Sequence, residues 1–241
     1  MKEGKKAYSW AKDIFPFNRS LTGKGVEKTL NYFKNIFSDL QIHNIKSGTK
    51  VFDWQVPLEW NVKDAYVSNL KGQRIIDFKK NNLHLVGYSQ PINKVLSYKS
   101  LNKHLHSIKS QPNAIPYITS YYKKYWGFCI SHKKRKLLKK NNYKVVIDSN
   151  FKKGHLKYGE IFLKGKQKKE ILISTNICHP SMGNNEISGP VVALAIAKWL
   201  QNKRNRKYSY RILFLPETIG ALGFLKKNIK KIKKNLIAGY Q

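Results

Sequence analysis

The chain has 241 residues, of which 41% are hydrophobic and 12% aromatic. This composition excludes an intrinsically disordered chain and allows one large domain or two modest ones. The 47 Lys and Arg residues outnumber the 13 Asp and Glu residues and give a formal net charge of +34. That charge suits a nucleic-acid or anionic-membrane partner, but the lysines are spread over the whole chain. The even spread favours a compositional bias over a nucleic-acid surface.

Cysteine usage and hydropathy indicate the cellular setting. Cys129 and Cys178 are too few for a disulfide framework and form no zinc-finger pattern. Trp10, Lys12 and Asp13 interrupt the N-terminal segment, so no signal peptide is predicted. The longest apolar run, residues 191–197, is far shorter than the roughly 20 residues that span a bilayer. We therefore expect a cytoplasmic protein with no membrane span.

Residues 1–50 are predicted to be mainly helical. One helix begins at Thr22 or Gly23, after an ordered loop at residues 15–23. Its apolar stripe recurs at helical spacing and consists of Val26, Leu30, Phe33 and Phe37. Residues 51–165 are predicted to be rich in strands, because short apolar stretches alternate with turn residues. These stretches are residues 74–78, 83–88, 144–147 and 160–163.

The last part of the chain has an α/β pattern. Residues 170–175 predict a buried strand, and residues 210–215 predict a second one. Between them an apolar helix runs to Leu200, and Ser188 is placed to cap it. A further helix is predicted at residues 221–229. This order of elements implies parallel strands joined by right-handed crossovers.

Two polar residues follow the two predicted strands. Ligands of open α/β sheets bind beyond the carboxyl ends of the strands, which is where His179 and Glu217 fall. If the strands are neighbours, the two side chains share one crevice with the N-terminus of the helix that begins at Ser188. An imidazole and a carboxylate suit a zinc ligand and a general base. The alternative is that both are ordinary polar residues of loops.

Two segments resemble the metal-binding loops of the di-zinc aminopeptidases. Residues 178–190 (CHPSMGNNEISGP) resemble their loop from a His ligand to Asp-x-x-Ser-Gly, and residues 215–220 (LPETIG) resemble their Glu-Glu-x-Gly segment. The chain is more closely similar to a bacterial family of unknown function, associated with polysaccharide biosynthesis and an aminopeptidase-like domain. The segments that carry this resemblance are residues 15–23 (FPFNRSLTG), 47–54 (SGTKVFDW), 114–122 (AIPYITSYY) and 126–129 (WGFC).

The resemblance implies a zinc-aminopeptidase-like (phosphorylase/hydrolase-like) α/β fold with a parallel or mixed sheet. Residues 1–54 and 166–241 are expected to form this domain, and residues 55–165 a β-rich domain nested in it. The aminopeptidases supply two further ligands from segments beyond the position of Gln241. The chain is therefore expected to be truncated at its C-terminus, with an exposed sheet edge and an uncovered core.

The resemblance also implies roles for single residues. His179 matches the first zinc ligand, and Glu217 matches the general base. Asn185 stands where the aminopeptidases carry an Asp that bridges two metal ions, and Thr218 where they carry a second Glu. A neutral amide bridges two dications poorly, and Glu186 is the candidate to substitute for it. The expected cofactor is therefore zinc, as one or two ions or none.

Three functions remain open from the sequence. The first is a zinc aminopeptidase-like hydrolase acting on a small peptide-like or amino-sugar-like substrate. The second is a catalytically inactive binding module of surface-polysaccharide biosynthesis, favoured by the neutral Asn185 and Thr218. The third is nucleic-acid binding through the positive charge.

Other residues have competing interpretations. His104, His106 and His132 can form a three-histidine metal site, although separate hydrogen-bonded histidines are favoured. A Cys178–His179 dyad is disfavoured, because adjacent residues of an extended segment point in opposite directions. An aromatic cluster can stack on bases or sugars or pack in a core, and the core interpretation is favoured. Its members are Tyr117, Tyr121, Tyr122, Tyr125 and Trp126.

Overall fold

The computed structural model describes residues 2–241. The helices are α1 (Lys2–Ile14), α2 (Lys24–Ile36), α3 (Tyr98–Asn102), α4 (His132–Lys136), α5 (Ser188–Gln201) and α6 (Ile219–Asn235), with a 3₁₀ helix at Asn82–His84. The strands are β1 (Gln41–Lys46), β2 (Lys50–Val51), β3 (Trp54–Gln55), β4 (Glu59–Ser68), β5 (Arg74–Asp77), β6 (Ile92–Ser97), β7 (Leu105–His106), β8 (Phe128–Cys129), β9 (Asn142–Lys152), β10 (His155–Leu163), β11 (Glu170–Asn176), β12 (Ser209–Leu215) and β13 (Leu236–Tyr240).

The chain divides into two compact units. The first, here the two-segment unit, combines the chain up to Glu59 with Lys153–Gln241, and the second, the inserted unit, is Trp60–Lys152. The sequence predicted a nested domain at residues 55–165, which is longer than the inserted unit at both ends. That range included β10, which pairs with β12 and therefore belongs to the sheet of the two-segment unit. A strand's own hydrophobic pattern does not show which sheet it joins.

The two-segment unit contains a mixed five-stranded sheet in the order β1-β10-β12-β11-β13. β11 pairs in parallel with β12 and with β13, whereas β1, β10 and β12 are antiparallel neighbours. The predicted parallel pairing of the two buried strands is thus confirmed, and the fold is the expected mixed α/β type. β13 was not predicted, because a strand of five residues after a long helix has a weak sequence signal.

Helices cover both faces of this sheet. Alternate residues of β12 belong to different cores: Phe214 packs with α1, α2 and α5, and Leu213 packs with α6. In α2 the predicted stripe is buried, and the rings of Phe33 and Phe214 are 5.1 Å apart. Burial on both faces explains the unbroken apolar run at residues 212–215 of β12.

Two local predictions were wrong. Residues 83–88 form no strand. Instead, the side chain of Asn81 accepts a hydrogen bond from the N–H of Leu83 and starts a 3₁₀ turn. Ser188 does not cap α5 but is its first residue, and its hydroxyl donates to the carbonyl of Asn184 at 2.8 Å. Gly23, by contrast, is the N-cap of α2 as predicted, with a φ of 92° that suits glycine.

The inserted unit has its own four-stranded sheet, in the order β5-β4-β9-β6, and a short pair formed by β7 and β8. Burial alternates along β9, where Tyr143, Val145 and Ile147 face the core. This alternation gives β9 one buried face and one more accessible face. Across residues 2–241, none of the helices combines the length and the apolar character needed to cross a membrane.

Candidate functional site

The candidate site lies where β11 and β12 end. These strands are parallel neighbours, and a hydrogen bond from the N–H of Ile177 to the carbonyl of Leu215 extends their pairing by one residue. The loops that follow therefore leave the same edge of the sheet. The structure brings His179 and Glu217 together as expected, with 3.2 Å between His179 Nε2 and Glu217 Oε2.

Four side chains converge at this point: Cys178, His179, Glu186 and Glu217. The atoms through which they can bind a metal all lie within 4.8 Å of one another. Glu186 and Glu217 also lie next to the N-termini of α5 and α6, where the helix dipoles stabilise negative charge. Two carboxylates are thus tolerated close to one imidazole.

Glu186 holds the imidazole of His179. Its carboxylate is fully buried, and Oε1 lies 2.6 Å from His179 Nδ1, while Oε2 accepts the backbone N–H of His179. Asn185 Nδ2 also approaches Nδ1, at 3.2 Å. A carboxylate on Nδ1 favours the tautomer with its proton on that nitrogen, which leaves the lone pair of Nε2 directed towards Glu217.

Backbone strain is concentrated in the two loops of the site. Among residues 2–241, five non-glycine residues have a positive φ, and Ser181, Glu186 and Thr218 are three of them. Side-chain clashes make this conformation uncommon outside glycine, and it clusters at functional sites. The surrounding packing therefore holds these loops in geometries that local preference does not favour.

Cys178 is part of the cluster, contrary to the prediction that it points away from His179. Its Sγ accepts the N–H of Glu217 at 3.2 Å and lies 3.7 Å from Glu186 Oε1. The prediction treated Cys178 and His179 as extended, but the backbone bends at His179. Burial raises the pKa of the Cys178 thiol well above its usual value, and the charge of Glu186 raises it further. The thiol is therefore protonated at neutral pH and unsuited to act as a nucleophile.

Arg19 fixes the position of the loop that carries His179. Its side chain is buried, and it donates to the carbonyls of Ile14 and His179, each at 2.8 Å, and of Glu186 at 3.4 Å. Burial lowers the pKa of Arg19 to about 10, an effect that Glu186 and Cys178 oppose. The guanidinium therefore remains charged at neutral pH. Sequence reasoning missed this role, since the only signal was the position of Arg19 within the FPFNRSLTG segment.

We expect Arg19→Lys to lower the free energy of unfolding by about 1.5–3 kcal/mol, the usual value of a hydrogen bond to a charged group. An ammonium cannot reproduce the guanidinium fork that joins the carbonyls of Ile14 and His179. Hydrogen exchange should accelerate in residues 179–187. Arg206→Lys is the matched control, because Arg206 also donates to several backbone carbonyls but near the end of α5. Equal acceleration at the site in both variants would contradict this role.

The other histidine candidates do not gather into a metal site. Each makes a separate hydrogen bond: His104 with the carbonyl of Trp126 at 2.9 Å, His106 with the hydroxyl of Tyr125 at 2.8 Å, and His132 with the hydroxyl of Ser107 at 3.1 Å. In the aromatic cluster, the Tyr121 ring packs edge-on against Tyr88, which stacks on Trp60. Tyr121 thus packs against the core, whereas Tyr122 of the same cluster is 55% exposed.

The fold and the His–Glu cluster at the strand ends define the class as an aminopeptidase-like α/β protein. The chain belongs to the family described as a domain of unknown function, DUF4910, whose model matches residues 8–241. The cluster lies within the matched region.

Relatives support this assignment. A protein of Clostridium acetobutylicum is 48% identical over 238 residues and carries the provisional name of a polysaccharide biosynthesis protein with an aminopeptidase-like domain. The match covers 98% of this chain and 54% of that protein, so the chain spans about half the length of this curated relative. A crystal structure from the same organism, provisionally assigned as a peptidase, matches with a TM-score of 0.95 at 46% sequence identity. The match covers 98% of this chain and 56% of that one.

More distant structures share the fold. A zinc aminopeptidase from Bacillus subtilis has a TM-score of 0.61 at 13% identity, and a peptidase M28 precursor from Shewanella amazonensis has a TM-score of 0.62 at 11% identity. Each match covers 98% of this chain, with 67% of the first structure and 73% of the second. At such identities the likeness concerns the fold alone.

The donor chemistry of the cluster suits a single zinc ion. Imidazole nitrogen is a zinc ligand, and a carboxylate beside it can bind the ion or act as base to its water; His179 Nε2 and Glu217 Oε2 lie 3.2 Å apart. Because both oxygens of Glu186 are engaged by His179, the cluster leaves too few anionic oxygens for a second ion. The residues present therefore fit one ion better than two.

Proposed function

We propose that this chain carries a zinc-assisted hydrolytic site for an amide bond in a small peptide-like or amino-sugar-like substrate. The observation that carries the proposal is the line of contacts from buried Glu186 through His179 to Glu217. His179 would hold the ion through Nε2, next to the carboxylate of Glu217. When bound, zinc supplies the Lewis acidity that polarises a carbonyl oxygen.

Glu217 is assigned the role of general base. Its side chain is about half exposed (49%), so water and substrate can reach its carboxylate. It would take a proton from the attacking water and return that proton to the leaving nitrogen as the C–N bond breaks.

Glu186 is assigned a positioning role instead of the metal-ligand role that the sequence suggested. Both of its oxygens are engaged by His179, one by the ring and one by the backbone N–H. Recruiting Glu186 to a metal would release a buried imidazole N–H and a backbone N–H at the same time. Carboxylates that orient a ligating histidine in this way occur commonly around zinc.

Zinc titration of the purified chain tests the metal site. We expect about one equivalent of zinc, and visible absorption from cobalt substituted at the same site. His179→Ala should abolish both signals, and Glu186→Gln should weaken zinc affinity by about 10–100-fold, as for other groups that orient ligands. His132→Ala is the control, because His132 bonds to Ser107 outside the cluster. Zinc far below one equivalent, unchanged in His179→Ala, would overturn the metal assignment.

A binding module without catalysis is the second candidate function. The neutral side chains of Asn185 and Thr218 favour it, because they lower the negative charge available to a metal. The name of the Clostridium acetobutylicum relative connects such a module with polysaccharide biosynthesis. Asn185→Asp distinguishes the two functions. Tighter zinc binding in this variant supports a weakened metal site at this position, and unchanged binding favours the module.

A further inference from the structure

The inserted unit contains two adjoining concavities that the proposed hydrolytic site does not use. Their volumes are about 530 and 510 Å³, within the range of small-molecule binding sites. Asn69 and Leu70 line both, so the two form one groove. Its remaining lining includes Lys71, Lys140 and Asn142 in the first concavity and Arg74, Val95 and Lys144 in the second.

The groove lies along one face of the four-stranded sheet and the turns beside it. Lys144 on β9 is directly opposite Val95 on β6, and Arg74 on β5 is opposite Ser68 on β4. The turn after β4 is held in place by Asn69, whose Oδ1 accepts the backbone N–H groups of Lys71 and Gln73. Regular strands and a fixed turn thus position the lining, which limits the entropy lost on binding.

The groove is positively charged, and its lysines are not neutralised by carboxylates of the groove. Lys71, Lys140 and Lys144 form no ion pair with any of residues 2–241, and no carboxylate lines either concavity. The neighbouring carboxylates of Asp64 and Asp77 are both engaged by Arg74, at 2.8 and 3.2 Å. The charge of three lysines is therefore available to an anionic ligand.

The other lining groups suit sugars better than nucleobases. Tyr66 is an aromatic residue of the groove, but the guanidinium of Arg74 lies 3.9 Å from its ring centroid and covers it. Stacking on bases needs an accessible ring face. The exposed apolar side chains are aliphatic, namely Leu70 and Val95, and they suit the C–H faces of sugar rings. The exposed amide of Asn142 can donate to and accept from hydroxyl groups.

We propose that this groove binds an anionic saccharide, with lysine ammonium groups on its carboxylates and the amide of Asn142 on its hydroxyls. Leu70 and Val95 pack against the sugar rings. The groove makes the inserted unit a carbohydrate-binding element, and it uses none of the residues assigned to hydrolysis. If the chain binds no zinc, the saccharide proposal is therefore unaffected. If the groove binds no saccharide, the proposed zinc site is equally unaffected.

Calorimetric titration with trigalacturonate tests the proposal, with neutral galactotriose as the uncharged probe. The variant Lys71→Gln/Lys140→Gln/Lys144→Gln should bind trigalacturonate about tenfold more weakly, the sum of three modest exposed ion pairs. The control is Lys5→Gln/Lys6→Gln/Lys34→Gln, which removes the same charge from exposed positions of α1 and α2. This control should bind within about twofold of the unchanged chain, because distant surface charges are screened by salt.

A single exposed change provides a second variant. Asn142→Asp keeps all three lysines but places a carboxylate in the groove, and it should weaken trigalacturonate binding by repulsion while leaving the melting temperature unchanged. If both triple variants lost trigalacturonate affinity equally, the binding would come from the overall positive charge of the chain and the proposal would be overturned. Equal binding of galactotriose would also overturn it. Tighter binding of a single-stranded oligodeoxynucleotide, lost only in the groove variant, would assign the groove to nucleic acid instead.

Discussion

Glu217→Gln is expected to reduce amide hydrolysis by about 10²–10⁴-fold, the usual contribution of a positioned general base. Glutamine has the size of glutamate but cannot accept the proton of the attacking water. The loss should appear in kcat with little change in KM, because the proton moves only in the transition state. Zinc affinity is expected to fall much less, since His179 and its contact with Glu186 are unchanged.

Steady-state hydrolysis of leucine p-nitroanilide and of N-acetylated chito-oligosaccharides provides the measurement, one for each proposed substrate class. Glu27→Gln is the matched control, because Glu27 is a comparably exposed carboxylate that forms an ion pair with Lys157. Undetectable hydrolysis of both substrates by the unchanged, zinc-loaded chain would count against the hydrolase and favour the binding module. Equal activity in Glu217→Gln and the unchanged chain would remove Glu217 from the mechanism.

The second large effect concerns the sheet beneath the site. Arg211 on β12 is buried and pairs with Glu170 on β11, with 2.8 Å between Arg211 Nε and Glu170 Oε2, and it also pairs with Glu160 on β10. Arg211→Leu is expected to lower the free energy of unfolding by about 3–5 kcal/mol, because it leaves a buried carboxylate without its partner. Urea denaturation measures this loss.

The pH dependence of the same variant has a defined sign. Burial raises the pKa of Glu170, and Lys231, 4.0 Å away, only partly opposes this effect. A carboxyl group whose pKa is higher in the folded state destabilises folding once the pH rises through that pKa. The difference between Arg211→Leu and the unchanged chain should therefore shrink as the pH is lowered from neutrality towards the raised pKa of Glu170.

Two controls separate the buried pair from general effects. Arg211→Leu/Glu170→Leu should recover much of the lost stability, because it removes both charges of this pair and leaves Glu160 its contact with His43. Arg74→Leu should cost only about 0–1 kcal/mol, since Arg74 also pairs with two carboxylates but is 31% exposed. A loss in Arg74→Leu as large as that in Arg211→Leu would contradict the importance of burial.

The parts of the fold that the sequence predicted are those with a strong periodic signal. The apolar stripe of α2 and the apolar runs of β11 and β12 consist of residues that the core buries fully or partly. The spacing of apolar residues along the sequence is enough to predict such elements. Residues 83–88 were misassigned because the hydrogen bond accepted by Asn81 competes with a strand. Strand β13 gave no usable signal, because its pairing with β11 brings together segments distant in the sequence.

The candidate site was predicted for His179 and Glu217 because topology alone places residues that follow parallel strands at one edge. The contribution of Arg19 was not predictable in this way. It approaches the loop of His179 from a segment 160 residues earlier in the chain, and no periodic pattern encodes that contact. Cys178 was misplaced because the segment after the strand was treated as extended, whereas the backbone bends at His179.

The sequence by itself determined the α/β class, the parallel pair of strands and the presence of an imidazole and a carboxylate after them. These features could be predicted because the spacing of apolar residues and the order of the elements along the chain are read directly from the sequence. Only the tertiary structure decided that β10 belongs to the main sheet, that Glu186 holds His179 and that the lysines of the inserted unit line a groove. Those features depend on contacts between segments that are distant in the sequence. Only when these contacts form are the side chains buried and their charges brought close enough to interact.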